Sequence, residues 1–120
     1  MLVYRIENAQ RLGPYQHSVS WVYTDHMDLD HPQPCDDDID CSAMTYSHVC
    51  GFDSLAKLKT WFTHEELTGL STLGYSLSTY EVDSGHCLIG KRQVVFYYPL
   101  AKLVETVSIA QGHLEGRLAA

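Results

Sequence analysis

The chain predicts an α+β domain with a mostly antiparallel sheet and two or three short helices, and three observations carry that reading. Strand-like stretches stand at both ends, two helical stripes lie between them, and no GxGxxG follows the first strand, which argues against a parallel dinucleotide-binding topology. With 120 residues and 45% hydrophobic content, a single core suffices. Residues 1–112 read as that one domain and 113–120 as a frayed tail.

The elements follow in order. Residues 2–8 read as a strand closed by a turn at Gly13 and Pro14. SVSWVYT at 18–24 is aromatic and β-branched and reads as a short strand or a helix start. From Asp25 to Ser47 the apolar pattern fails, and HPQPCDDDIDCS predicts a long loop of the kind that often carries function. HVCGF at 48–52 reads as a short buried strand. Asp53 or Ser54 then caps a helix whose Leu55, Leu58, Trp61 and Phe62 form one core-facing stripe. Thr63 and Glu66 fit a capping box for a second helix through Leu67, Leu70 and Leu73, stopped by Gly74. YSLSTYEV at 75–82 and KRQVVFYY at 91–98 alternate as strands, and DSGH between them predicts a hairpin. Leu100 to Ile109, beyond Pro99, reads as a short helix or a further strand.

Charge narrows the function. The formal net charge is −7, with 8 Lys and Arg against 15 Asp and Glu, and no basic stripe suited to phosphates is visible, which disfavours direct nucleic-acid binding. No run of apolar residues is long enough for a membrane span and no signal peptide is evident, so a soluble, cytoplasmic protein is expected. The same compartment predicts that Cys35, Cys41, Cys50 and Cys87 stay reduced. Between Arg11 and Lys57 there is no Lys or Arg, while Asp36, Asp37, Asp38 and Asp40 crowd the loop. Such a patch steers cations and basic protein surfaces towards itself.

Several residues invite chemistry. In an extended first strand Val3, Arg5 and Glu7 share a face, because strand side chains alternate. Arg5 then needs an anion, either a carboxylate such as Glu7 or Glu81, which makes it structural, or a bound ligand, which makes the strand a pocket wall. Gln93 poses the parallel choice between an exposed edge and a semi-buried wall where its amide needs partners. His26, His31, Cys35, Cys41, His48 and Cys50 are metal-ligand types, but their spacing lacks the C-x2-C hooks of structural zinc. The Asp run likewise lacks a calcium-loop pattern, so no metal site is assigned. Cys50, in an apolar strand near His48, reads as a small buried hydrophobe. Trp61 and Phe62 read as core; Trp21 and Tyr23, near the acidic loop, read as core packing first and are the better candidates for an exposed contact surface.

The stretches YRIEN with GPY, CGFDSLAKLKTWF, and YEV followed by RQVVFY resemble a group of small bacteriophage accessory proteins over most of the chain. The layout is also similar to the ADP-ribosyltransferase-like fold, in which NAD binds a cleft between two sheets. That resemblance implies phosphate contact by Arg5, ribose contact or stacking by Ser54 and Phe52, and Gln93 where the fold carries a catalytic Glu. A neutral amide hydrogen-bonds but supplies no charge, so the resemblance leaves open whether the cleft transfers ADP-ribose, with Glu81 as a substitute carboxylate, or only binds a nucleotide. The other expectation is a non-enzymatic inhibitor that sets Asp36, Asp37, Asp38 and Asp40 against a basic host protein, such as a defence component.

Overall fold

A computed structural model describes residues 1–16 and 26–110. The element expected at 18–24, with Trp21 and Tyr23, and the tail at 113–120 lie outside those residues. Among the described residues, six strands form two antiparallel sheets, with the helices 55–61 and 64–72 between them in sequence, which is the α+β class that the chain predicts.

The first sheet has β1 (Leu2–Glu7) at one edge, β3 (Ser76–Glu81) in the middle and β6 (Lys102–Ser108) at the other edge. Ile6 sits opposite Leu77, and Leu77 opposite Val107. These residues share one face, which the helices cover. Helix α1 (Leu55–Trp61) starts at Ser54, whose hydroxyl accepts from the Lys57 amide. Helix α2 (His64–Thr72) starts with the predicted capping box, Thr63 and Glu66 each accepting from the other's backbone N–H. Leu58, Trp61, Leu67 and Leu70 pack with Ile6, Leu77 and Val107 in one buried cluster. After α2 the chain reverses at Gly74, whose φ of 87° suits a residue without Cβ.

The second sheet orders β2 (His48–Gly51), β5 (Val94–Tyr97) and β4 (Cys87–Ile89). Val94 and Phe96 meet Val3, Tyr80 and Val82 in a second core cluster between the sheets. The two sheets are also stitched at their corner, because Tyr4 and Phe52 exchange N–H···O bonds of 2.8 Å along the free edge of β1. Gly51 stands at that crossing.

Two expectations are corrected and one open alternative is resolved. The hairpin between 75–82 and 91–98 does not form, because β3 and β5 are each the central strand of a different sheet with both edges taken. β5 instead turns back on β4, a three-residue strand too short to show alternation. The 100–109 stretch resolves as the strand β6. Finally, Cys35 and Cys41 form a disulfide across 5.4 Å between their Cα atoms, while Cys50 and Cys87 remain free. Two single-turn 3-10 helices, Pro34–Asp36 and Cys41–Ala43, bring that pair together, the second capped by the Asp40 carboxylate on the Ser42 amide.

No helix among the described residues is long and apolar enough to cross a membrane. Adding a Cβ at Gly51 would bring it to 2.6 Å from the Val3 Cγ1 and 2.9 Å from the Tyr4 carbonyl oxygen. Gly51→Ala is therefore expected to destabilise the fold by about 1–3 kcal/mol, read as a lowered urea midpoint at unchanged slope.

Candidate functional site

The site begins with the buried arginine of β1. Arg5 is 4% exposed and its partner Glu7 is 0% exposed. Arg5 Nε donates to Glu7 Oε1 at 2.9 Å, while Glu7 Oε2 accepts from Arg11 Nη1 at 3.0 Å and from the Tyr80 hydroxyl at 2.5 Å. Arg11 reaches back because its own φ of 65° reverses the chain in a turn tied by the Asn8 side chain, which accepts from the Gln10 and Leu12 amides. Of the two readings of Arg5, the carboxylate partner is the one observed. Burial, reinforced by the bond to Glu7, pushes the Tyr80 phenol well above its ordinary range.

The far end of Arg5 does something else. Its Nη1 donates to the Cys50 carbonyl at 2.6 Å, and its Nη2 donates to Gln16 Oε1 at 2.6 Å. The Gly13 N–H reaches the same Gln16 oxygen at 2.8 Å. A Cβ on Gly13 would come within 3.2 Å of Arg5 Nη2, so the glycine admits both donors to one point. A neutral side-chain oxygen thus sits where a guanidinium and a backbone amide converge. That is the donor set of an oxyanion seat.

This seat opens into a cavity of about 1170 Å3, bounded by the outer face of β2, the end of α1 and the loops at 13–16 and 26–36. Arg5, Phe52 and Gln93 all line it, although they are far apart in sequence. Strand alternation explains the β2 wall: Gly51 turns inward to the core, and His48 and Cys50 face the cavity. Cys50 is accordingly exposed, which corrects its reading as a buried hydrophobe. It is nonetheless crowded, and that burial outweighs the nearby Arg5 charge and pushes its thiol up.

Gln93 is 4% exposed, the wall position rather than the edge. Its Nε2 donates to the Pro32 carbonyl at 2.8 Å. The backbone beneath it is clamped by Asp37, whose carboxylate accepts from the Arg92 and Gln93 amides at 2.9 and 3.0 Å. Gly90 leaves room for that clamp, since a Cβ there would lie 2.5 Å from Asp37 Oδ2. Ser54 caps α1 and does not line the cavity, and Glu81, at the end of the central strand β3, does not line it either and is paired with the Met1 amino group at 3.1 Å.

The Asp-rich loop folds onto its own hairpin. Asp37 is buried, Asp38 lies 3.4 Å from Lys91, Asp30 contacts Arg92 at 3.3 Å, and Asp40 caps a turn. Asp36 borders the cavity. Among the described residues no group of three His, Cys, Asp or Glu side chains is placed to hold a metal ion, and the Cys35 and Cys41 thiols are joined to each other.

Sequence reasoning missed a ring cluster on the cavity wall. The His26 and His31 rings stack at 3.8 Å and 6°, and Trp61 stands edge-on to His31 at 5.0 Å. His31 sets Nε2 2.7 Å from the Trp61 carbonyl oxygen and Nδ1 2.8 Å from Asp28 Oδ1, two acceptors that share the single N–H of a neutral ring, and the contact with His31 holds the Asp28 carboxyl below its ordinary range. Gln16, Gly13, Tyr15 and Glu66 were missed as well. Glu66 was legible only as a cap, and the others sit in loops without periodic pattern.

One family model, the bacteriophage T4 Y00F protein, matches residues 1–110. No curated protein and no solved structure matches the chain.

Removing the shared carboxylate by Glu7→Gln leaves Arg5 and Arg11 without a buried counter-charge. The expected loss is about 3–5 kcal/mol, measured by denaturant unfolding. Alkaline pH acts in a defined direction: Tyr15 and Tyr80 hold their protons more tightly folded than unfolded. Their contribution is complete below the ordinary phenol value of 10.0 and is lost as pH rises beyond it. Thermal midpoints should therefore fall steadily above pH 10.

Proposed function

Because the chain belongs to the bacteriophage T4 Y00F protein family, we propose that it is a phage accessory protein whose cavity binds NAD or a related nucleotide in the host cytoplasm. The observation that carries this reading is the convergence of Arg5, Phe52 and Gln93 on one cavity. The volume accommodates a dinucleotide. Phe52, Trp61 and the stacked histidines offer faces for a base, and the Arg5 and Gly13 donors suit a phosphate oxygen.

In this reading Gln16 is a resident stand-in for that oxygen and swings out when a ligand enters. Gln93 holds a hydroxyl by hydrogen bonding and contributes no charge, so the cleft is a binding site first, and ADP-ribose transfer is not required of it. An acidic plug aimed at a basic host protein has less support, since Asp37 is buried and Asp38 and Asp40 are engaged within the chain.

Thermal unfolding with millimolar NAD or ADP-ribose tests the reading. Ligand at 100 times its dissociation constant adds about 2.7 kcal/mol, a shift of several degrees for a chain of this size. Gln16→Glu is expected to fold and to lose that shift, because its carboxylate takes both donors permanently. An unshifted wild type at every concentration rejects nucleotide binding.

A further inference from the structure

A second constellation on the cavity wall is independent of the nucleotide reading. Trp61 Nε1 donates to the Tyr15 hydroxyl oxygen at 2.8 Å, and Tyr15 in turn is hydrogen-bonded to His26 Nδ1. An indole N–H only donates, so Tyr15 accepts from Trp61; Glu66 Oε2, which only accepts, draws the hydrogen of a neutral His26 ring to Nε2, and the Tyr15 proton therefore points at Nδ1. His26 Nδ1 is then the bare ring nitrogen. The hydrogen of the neutral ring sits on Nε2, 2.8 Å from Glu66 Oε2, with both side chains buried.

Glu66 is fixed from its other oxygen, Oε1, which accepts the Thr63 N–H at 2.8 Å in the capping box of α2. The box therefore aims a carboxylate at His26 as well as starting a helix. His31, itself held by Asp28 and the Trp61 carbonyl, stacks on His26 and fixes the ring plane. Tyr15, His31 and Glu66 are the titratable groups facing His26 among the described residues, with Asp28 behind His31.

Two features set this apart from a satisfied core network. Tyr15 remains 38% exposed and lines the large cavity, so its side chain borders the space a bound molecule would fill. His26 is 7% exposed, with its Nε2 2.8 Å from the buried Glu66 carboxylate. His26 and Glu66 also line a second hollow of about 670 Å3 on the other side, which gives a proton an exit.

We propose that Tyr15 is a base-assisted phenol that removes a proton from the hydroxyl of an alcohol bound in the cavity. The ligand O–H breaks as a new Tyr15 O–H forms, and the original Tyr15 proton passes to His26 Nδ1. The products are a ligand alkoxide and an imidazolium balanced by Glu66, with no electron gained or lost. The Trp61 N–H stabilises the charge that develops on the phenolic oxygen in transit. Tyr15 is the catalytic residue here; His26 accepts its proton and Glu66 positions His26.

An aryl sulfonyl fluoride reports on this assistance, since the phenolic oxygen forms an O–S bond as fluoride leaves and the phenol proton goes to the base. Tyr46 is fully exposed, at 109% of its reference area, and serves as the internal standard in the full chain. Burial alone raises the Tyr15 phenol and would make it the slower of the two at neutral pH. With the relay, mass spectrometry should find Tyr15 labelled faster than Tyr46 by about 100-fold. Glu66→Gln keeps the capping box, because Gln serves at that position, so it should hold its melting temperature while the ratio falls at least about tenfold. His26→Gln should abolish the advantage. Equal ratios in wild type and folded Glu66→Gln, or a wild-type Tyr15 slower than Tyr46, would overturn the proposal.

Discussion

The fold depends on one buried carboxylate. Glu7 has no exposed surface, and its two oxygens gather Arg5, Arg11 and Tyr80, so β1, the turn after it and the central strand β3 are fastened at one point between the sheets. A buried ion pair is worth little against a hydrophobic replacement, but losing one partner leaves a charge stranded. The consequence reaches the cavity directly. Only because Nε is committed to Glu7 do the two terminal nitrogens of Arg5 point outward, one tying down the Cys50 carbonyl and the other presenting a donor beside Gly13. Stability and site geometry therefore share a residue, and its substitution would confound the two. Gln16 lies one step outside that network.

Much of the fold was legible where local rules suffice. Alternation put Arg5 beside Glu7, the spacing of Leu58 and Trp61 gave the core stripe, and Thr63 with Glu66 gave the α2 start almost to the residue. What local rules do not encode is which strand pairs with which. The alternation of 75–82 and 91–98 is real, but partner choice is decided by burial on both faces, and each strand fills the centre of a different sheet. The corner formed by Tyr4 and Phe52 is likewise invisible to periodicity, since it is one pair of backbone bonds across 48 positions of chain.

The cavity was half legible for the same reason. Arg5, Phe52 and Gln93 could be picked from strand-like stretches, whereas Gly13, Gln16 and His26 occupy irregular backbone, where position follows from tertiary contacts alone. Composition misled at the acidic loop. A run of Asp reads as a solvated patch, yet Asp37 is 3% exposed because backbone amides at the β4–β5 turn solvate it better than its neighbours could. Glu66 shows the converse, a residue whose local role as a cap was complete in itself and concealed a second orientation, towards His26.

The Cys35–Cys41 bond encloses only the five residues between them, including Asp37. In the chain-entropy view a ring that small contributes about 2 kcal/mol, less than the ion-pair network of β1, and it lies wholly within one loop. Neither core cluster includes either sulfur. Opening the bond in a reducing compartment would relax the local ring while Asp37 kept its amide partners and Gln93 its place on the wall. Loss of the bond would thus be felt as stability within one loop, while both core clusters and the buried carboxylate of β1 keep their partners.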